Sequence, residues 1–302
     1  MIRNIKFAAI MLIAATTMFS VISCSKNNDD DTANNILDVY VAGWEYNSSG
    51  KAVAMLWKNG ATQSITDGTN HAEALSVCVA GNDTYVAGYE YNSSYKAVAM
   101  LWKNGTAQNL TDGTNTAYAY SVFLAGNDVY VAGDEKNVSG ILVATLWKNG
   151  TAQRLTDGTN FAEALSVYVA GNDVYVAGYE RNTRDNIIAT LWKNNAAQRL
   201  TDGTNDAFAN SVFVAGNGIY VTGYERNVNV ATLWKNGTAQ RLTDGTNGTS
   251  ANSVYVADND VYVVGSEINT SGKEVAMLWK NGAVQSLTDG TNEAYANSVF
   301  VK

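Results

Sequence analysis

Residues 166–203 show the alternation of this chain in its plainest form: Ser-Val-Tyr-Val-Ala, then Val-Tyr-Val-Ala-Gly-Tyr-Glu, then Ile-Ile-Ala-Thr-Leu-Trp-Lys, then Ala-Gln-Arg-Leu-Thr-Asp-Gly. Each run is short, rich in β-branched and aromatic residues, and bounded by Gly, Asn or Asp, which predicts four strands, named A to D in chain order. No segment of ten or more residues carries a 3.6-residue period, so helices are not expected. The C to D connection reads Lys-Asn-Gly in every copy except Lys193-Asn194-Asn195. Asn-Gly tolerates the positive φ angles of a type I′ hairpin, so C and D are expected to be antiparallel neighbours. The A to B link, Gly-Asn-Asp at 81–83, 126–128 and 171–173, predicts the same for A and B.

The unit recurs. Leu-Trp-Lys-Asn places tryptophans at Trp57, Trp102, Trp147, Trp192, Trp234 and Trp279, with spacings of 45, 45, 45, 42 and 45 residues. That period suits a four-stranded propeller blade. Along strand B, Val174, Val176 and Gly178 fall on one face and Tyr175, Ala177 and Tyr179 on the other, and neither face is polar. A sheet apolar on both faces needs cover on both, as neighbouring blades provide, and the repeated tryptophan then fills the gap between blades. The folded part starts at a B strand (Leu37 to Glu45) and ends at an A strand (Ser298 to Val301). We therefore expect an all-β, six-bladed β-propeller of four-stranded antiparallel blades over residues 37–302, the C-terminal strand completing the first blade and closing the ring.

The first residues add an address. Met-Ile-Arg-Asn-Ile-Lys precedes an apolar run from Phe7 to Ile22 that ends in Val21-Ile22-Ser23-Cys24. A charged start, a short apolar core and a small residue before the cut predict a secretory signal over 1–23. The last four residues resemble the lipobox of bacterial lipoproteins, which implies lipidation at Cys24. Residues 24–36, including Asp29-Asp30-Asp31, are too polar to fold and read as a flexible acidic tether. That stretch is similar to the export signal of Bacteroidota surface lipoproteins, and Asp31-Thr32-Ala33 fits the O-glycosylation motif of the same phylum. The resemblance places the folded part on the outer face of the outer membrane, held by its lipid, with the periplasmic face as the alternative. The Val-Tyr-Val-Ala-Gly-Tyr-Glu and Leu-Trp-Lys-Asn-Gly units themselves resemble a family of Bacteroidota lipoproteins that carries no defined reaction.

Charge and cysteine content narrow the partners. Loss of residues 1–23 removes Arg3 and Lys6 and no acid, moving the formal charge from -8 to -10, and no Lys/Arg cluster is seen, so a nucleic-acid partner is excluded. With Cys24 acylated, no second cysteine is left to form a disulfide with Cys78, and its alignment with Phe123, Tyr168, Phe213, Tyr255 and Phe300 makes it a small buried hydrophobe.

Variation is concentrated after Thr-Asp-Gly-Thr-Asn, where D leads into A. The copies read His71-Ala-Glu73-Ala-Leu75, Thr116-Ala-Tyr118-Ala-Tyr120, Phe161-Ala-Glu163-Ala-Leu165, Asp206-Ala-Phe208-Ala-Asn210, Gly248-Thr-Ser250-Ala-Asn252 and Glu293-Ala-Tyr295-Ala-Asn297. Alternation sends the changing residues to one side, expected to be the mouth of the central channel. Glu73, Leu75, Tyr118, Tyr120, Phe161, Glu163, Asp206, Phe208, Asn210, Asn252, Tyr295 and Asn297 are accordingly the candidate ligand-binding residues. Aromatic platforms beside a few polar groups suit a glycan, a peptide or a protein ligand. The opposing view is that these loops vary without a ligand, as loop tips do. Blade five lacks three residues between Arg226 and Val230, which could open access on that side.

Catalytic chemistry has little to work with. His71 is the single histidine, so metal sites needing two or more histidines are excluded, and no catalytic residue, cofactor or metal ligand set is assigned. Glu73 and Glu163 could form an acid/base pair for glycoside cleavage, giving a polysaccharide-active hydrolase or lyase as one alternative to a binding or scaffold module. A purely structural envelope protein is another. Asp67, Asp112, Asp157, Asp202, Asp244 and Asp289 precede glycine and are read as turn caps rather than calcium ligands, their spacing matching no dense oxygen cage.

Overall fold

The computed structural model describes residues 20–21 and 38–301. Cys24, the acidic tether and all of the leader but Ser20 and Val21 lie outside the described residues. The strands form six antiparallel sheets in succession along the chain. Blade I holds β2 (Tyr40–Tyr46), β3 (Ala52–Lys58) and β4 (Ala61–Ser64). Blade II holds β5 (Ala72–Ala80), β6 (Asp83–Tyr91), β7 (Ala97–Lys103) and β8 (Thr106–Asn109), and β1 (Ser20–Val21) adds to β5 in parallel. Blade III runs through β9 (Ala117–Ala125), β10 (Asp128–Lys136), β11 (Leu142–Lys148) and β12 (Thr151–Arg154), and blade IV through β13 (Ala162–Ala170), β14 (Asp173–Arg181), β15 (Ile187–Lys193) and β16 (Ala196–Arg199). Blade V comprises β17 (Ala207–Ala215), β18 (Gly218–Glu225), β19 (Val230–Lys235) and β20 (Thr238–Arg241), and blade VI β21 (Thr249–Ala257), β22 (Asp260–Ile268), β23 (Glu274–Lys280) and β24 (Ala283–Ser286). The three-residue deletion in blade V is met by a single 3-10 turn, Arg226–Val228, in place of the longer B to C loop.

The hairpin ends follow from their turn residues. Asn59 and Gly60 both have positive φ (52° and 79°), as a type I′ turn demands. The lysine of Leu-Trp-Lys-Asn is used here too. In blade II Lys103 pairs with Asp83 at 2.8 Å and sits over the Tyr85 ring, while Asn104 donates to the same carboxylate at 2.7 Å. Blades I, III, IV and VI repeat the arrangement, and in blade V Gly218 stands where the aspartate would be.

Between blades the core is a series of seams. In the seam of blades III and IV, Trp192 packs with Ala132, Ala144 and Leu146 of the preceding blade and Ala162, Ala164 and Val167 of its own. Trp102, Trp147, Trp234 and Trp279 occupy the other four seams and are fully buried, as the repeat predicts. Cys78 is buried in the seam of blades II and III, as a small hydrophobe should be. Adjacent A strands are stitched together by serine: Ser76, Ser121, Ser166, Ser211 and Ser253 each accept the N–H of a valine one blade on, from Val122 to Val299.

Each A strand carries a bulge at one position, where the register steps past Leu75, Tyr120, Leu165, Asn210 and Asn252. The glycine of Val-Ala-Gly makes room for it. At Gly178 a Cβ would stand 2.0 Å from the Glu163 carbonyl oxygen, so no larger residue fits without displacing the bulge.

Ring closure differs from the sequence expectation. Residues 294–301 form no strand, and β2 pairs only with β3. The C-terminal segment does lie on blade VI as an A strand would, with Ala296 N–H donating to Gly265 O and Val299 N–H to Ser253 Oγ. What is missing is its hairpin partner. Within a blade A and B are joined by a two-residue turn, whereas this segment must reach β2 with no local connection, at a larger loop-closure cost. Both ends accordingly expose apolar surface: Val41 is 39% and Phe300 50% exposed, and Trp57, with no blade before it, is only half-buried.

Candidate functional site

The D to A and B to C connections share one rim. Asn47 Nδ2 donates to Gly68 O while its Oδ1 accepts from Ser49 and Lys51 N–H, tying the two loops of blade I together. Each repeated aspartate before glycine accepts the N–H of the threonine two residues on, from Asp67 with Thr69 to Asp289 with Thr291. These carboxylates are turn caps, and their hydrogen bonds to threonine hold them below the usual carboxylate range. Among the described residues no group of three or more His, Cys, Asp or Glu could hold a metal ion.

The varying positions of the A strands do fall on one face, but that face turns toward the next blade. Cross-strand pairing sets Glu73 beside Tyr89, Tyr118 beside Asp134, Glu163 beside Tyr179 and Phe208 beside Tyr224. Each B-strand residue then meets the A-strand residue of the following blade. Tyr89 contacts Tyr118 edge-on at 5.0 Å, and Tyr179 contacts Phe208 at 4.8 Å. In the seam between these two, Asp134 faces Glu163.

An aromatic network grows around those contacts. On one side His71, Tyr89, Tyr91, Tyr118 and Tyr120 are linked by ring contacts of 5.0–6.2 Å. On the other, Phe161 stacks on Tyr179 at 6.0 Å and Phe208 on Tyr224 at 4.8 Å, with the guanidinium groups of Arg181 and Arg226 over Phe161 and Phe208. Glu73, Tyr118, Tyr120, Phe161, Glu163 and Phe208 are thus brought together from four blades. Phe208 is buried, the other five half-buried.

Other candidates have structural partners. Asp206 accepts the Ile187 N–H, Asn210 donates to the carbonyl of Ala251 in the next A strand, and Asn252 to that of Ala296 in the C-terminal segment. Their amides therefore join blades. Leu75 is the half-buried bulge residue of blade II. Tyr295 and Asn297 lie on the C-terminal segment, with Tyr295 exposed. His71 bridges two blades, its Nδ1 facing the Ala52 N–H at 3.4 Å and its Nε2 facing Glu73 Oε1 at 3.1 Å.

Asp134, Tyr89, Tyr179 and Tyr224 join the site without having been singled out from the sequence. The signal was one letter: Val-Ala-Gly-Asp-Glu at 131–135 where blades II and IV have Val-Ala-Gly-Tyr-Glu. Asp134 has no solvent exposure, and neither carboxyl oxygen has a well-formed hydrogen bond, although the Tyr120 hydroxyl is directed at it. Burial first, and Glu163 next, push its carboxyl well above the usual range, and burial also raises Glu163 against the hydrogen bond from Tyr179.

A pH dependence follows. A carboxyl raised in the folded state binds its proton more tightly there than in the unfolded chain, so its contribution is fullest below the unfolded pKa and is lost as pH rises through the folded value. Unfolding midpoints of the wild type should therefore fall as pH climbs above the usual carboxylate range. Asp134→Asn should flatten that fall and leave the variant the more stable of the two at alkaline pH. The titratable groups around Asp134 are Tyr118 and Tyr120 of β9, Glu163 of β13, Tyr179 of β14 and Lys136 of its own strand. Denaturation midpoints over a pH series check it, and an unchanged slope in the variant would assign the effect elsewhere.

Away from this network, a cleft of about 370 Å³ lies between blades V and VI, lined by Arg241, Asp244, Glu267, Trp279 and Val284 among others. It shares no residue with the ring network.

No protein-family model matches the chain, and no curated protein matches it. Among solved structures it is similar to the Pyrococcus horikoshii acylaminoacyl peptidase (orthorhombic crystal form), with a TM-score of 0.51, 12% sequence identity, and coverage of 83% of this chain and 43% of that one. At that identity the likeness is one of fold, a succession of antiparallel sheets spanning less than half of the longer protein.

Proposed function

We propose that the chain is a lipid-anchored binding module of the outer membrane whose rim, at the D to A and B to C loops of blades II to V, holds a glycan. The ring network from His71 to Tyr224 carries this reading. It sets flat, half-buried aromatic faces beside carboxyl groups, a combination suited to stacking on sugar rings while hydrogen-bonding their hydroxyls. No loose amide arc is needed, since Asn210 and Asn252 already hold blades together. Anchoring rests on the lipobox at Cys24 and the acidic tether, and the surface address on the resemblance to Bacteroidota lipoproteins.

The ring is completed when the C-terminal segment pairs with β2. Two features support closure: the segment already lies on blade VI in the manner of an A strand, and β2 is a B strand whose A-side edge is unpaired among the described residues. Exposed apolar groups on both faces, Val41 and Phe300 among them, would then be covered.

Binding of residues 38–302 to a broad glycan array, with Tyr118→Ala alongside, tests the function. Loss of one stacking face should weaken binding by roughly tenfold, the equivalent of about 1–1.5 kcal/mol for an aromatic contact. Glycan binding that is equal in both proteins would move the site elsewhere, and none in either would remove the reading. Product release from a polysaccharide panel, abolished by Glu163→Gln, would favour an enzyme instead.

A further inference from the structure

We propose that the seam of blades III and IV gives this site a preference for ligands bearing a protonated amine, so that the glycan it takes is an amino sugar with a free ammonium group. The inference rests on the rim reading above and extends it to ligand charge.

Three observations converge on the seam. First, the neighbouring seams fill the same pair of positions with rings, Tyr89 against Tyr118 and Tyr179 against Phe208, whereas here Asp134 and Glu163 face one another. Second, Asp134 is fully buried, and although the Tyr120 hydroxyl is directed at it, neither carboxyl oxygen has a well-formed hydrogen bond. A buried acceptor left in that state is costly in a folded protein unless something complements it. Third, Glu163 is half-buried and pairs across its hairpin with Tyr179, and Tyr118, which pairs with Asp134, stacks with Tyr120 at 6.0 Å.

An ammonium group fits all three. It donates up to three hydrogen bonds to acceptor-only carboxylates, and aromatic faces favour its charge. One cation placed there offsets the repulsion that keeps both carboxyls from ionising together, so binding and ionisation reinforce one another. The sugar ring attached to the amine would lie against Tyr118 and Tyr120, where the platform is. Lys136, two positions along the same strand, is exposed, so solvent screens its charge from the seam. The seam therefore keeps its demand for positive charge.

The experiment compares two probes of the same ring and length, the glucosamine tetramer and its fully N-acetylated counterpart, by calorimetry with the lipid-free protein. The free amine should bind about tenfold tighter, the usual margin of a charge-assisted over a neutral hydrogen bond. Asp134→Asn and Glu163→Gln should each erase that margin, so that the two probes bind the variant alike. Equal affinity for both probes in the wild type would overturn the charge preference and leave the aromatic platform standing. Failure of both probes, with other glycans bound on the array, would also overturn it. A rise in melting temperature with calcium chloride that Asp134→Asn abolishes would overturn it too, assigning the pair to a metal ion.

Discussion

Gly178→Ala is expected to lower the stability of the protein by about 3–4 kcal/mol, although it adds one methyl group. The added carbon would sit 2.0 Å from the Glu163 carbonyl oxygen, backbone on the opposing strand that has no rotamer to escape into. Relief requires the β13–β14 hairpin to part at the bulge, which also moves Glu163 and Leu165 and loosens the seam with blade III. Gly171→Ala is the control. Gly171 has a φ of +58° with open space around it, so alanine there costs only the left-handed backbone penalty of about 1–2 kcal/mol. Urea unfolding midpoints of the two variants separate steric conflict from backbone preference. If Gly178→Ala were the milder one, the close approach at the bulge would not exist in solution.

Trp192→Ala should cost about 3–5 kcal/mol, the range for emptying a fully buried indole site. The loss is one of apolar packing, because Trp192 Nε1 has no hydrogen-bond partner, and Trp192→Phe should recover much of it. Trp57 makes the comparison informative. It has the same place in the repeat but no blade before it, and it is only half-buried. Closure of the ring brings blade VI onto that face, so Trp57→Ala should then cost as much as Trp192→Ala. A cost near 1 kcal/mol, as for a partly exposed ring, would mean that the array stays open.

Much of the architecture was legible along the chain because each blade is built from local contacts. A and B, and C and D, are joined by tight turns whose residues specify their own backbone geometry, and alternation shows which residues share a face. The tryptophans of blades II to VI could be assigned to the seams for the same reason: a sheet apolar on both faces has to be covered on both. Turn-capping by Asp67 and its equivalents was readable from the glycine that follows each.

The site was harder to read. Listing the changing residues of the A strands found Glu73, Tyr118, Tyr120, Phe161, Glu163 and Phe208, since variation against a uniform background is visible in the copies themselves. It also admitted Asp206, Asn210 and Asn252, whose side chains hold backbone groups, some of them in the next blade. Periodicity says which face a residue takes and nothing about what that face meets. Asp134 escaped notice because it lies on a B strand that is otherwise repetitive, and its partner Glu163 is 29 positions away.

Strand order, turn type, blade number and the burial of the indoles were thus written in the primary structure, because they depend on contacts between residues a few positions apart or one repeat apart. Packing of whole blades decided the rest: that the varying residues look into seams, that buried Asp134 meets Glu163, and that the last segment lies along blade VI. Those outcomes turn on the rotation of one rigid sheet against the next, a quantity summed over every side chain in a seam and carried by no single motif.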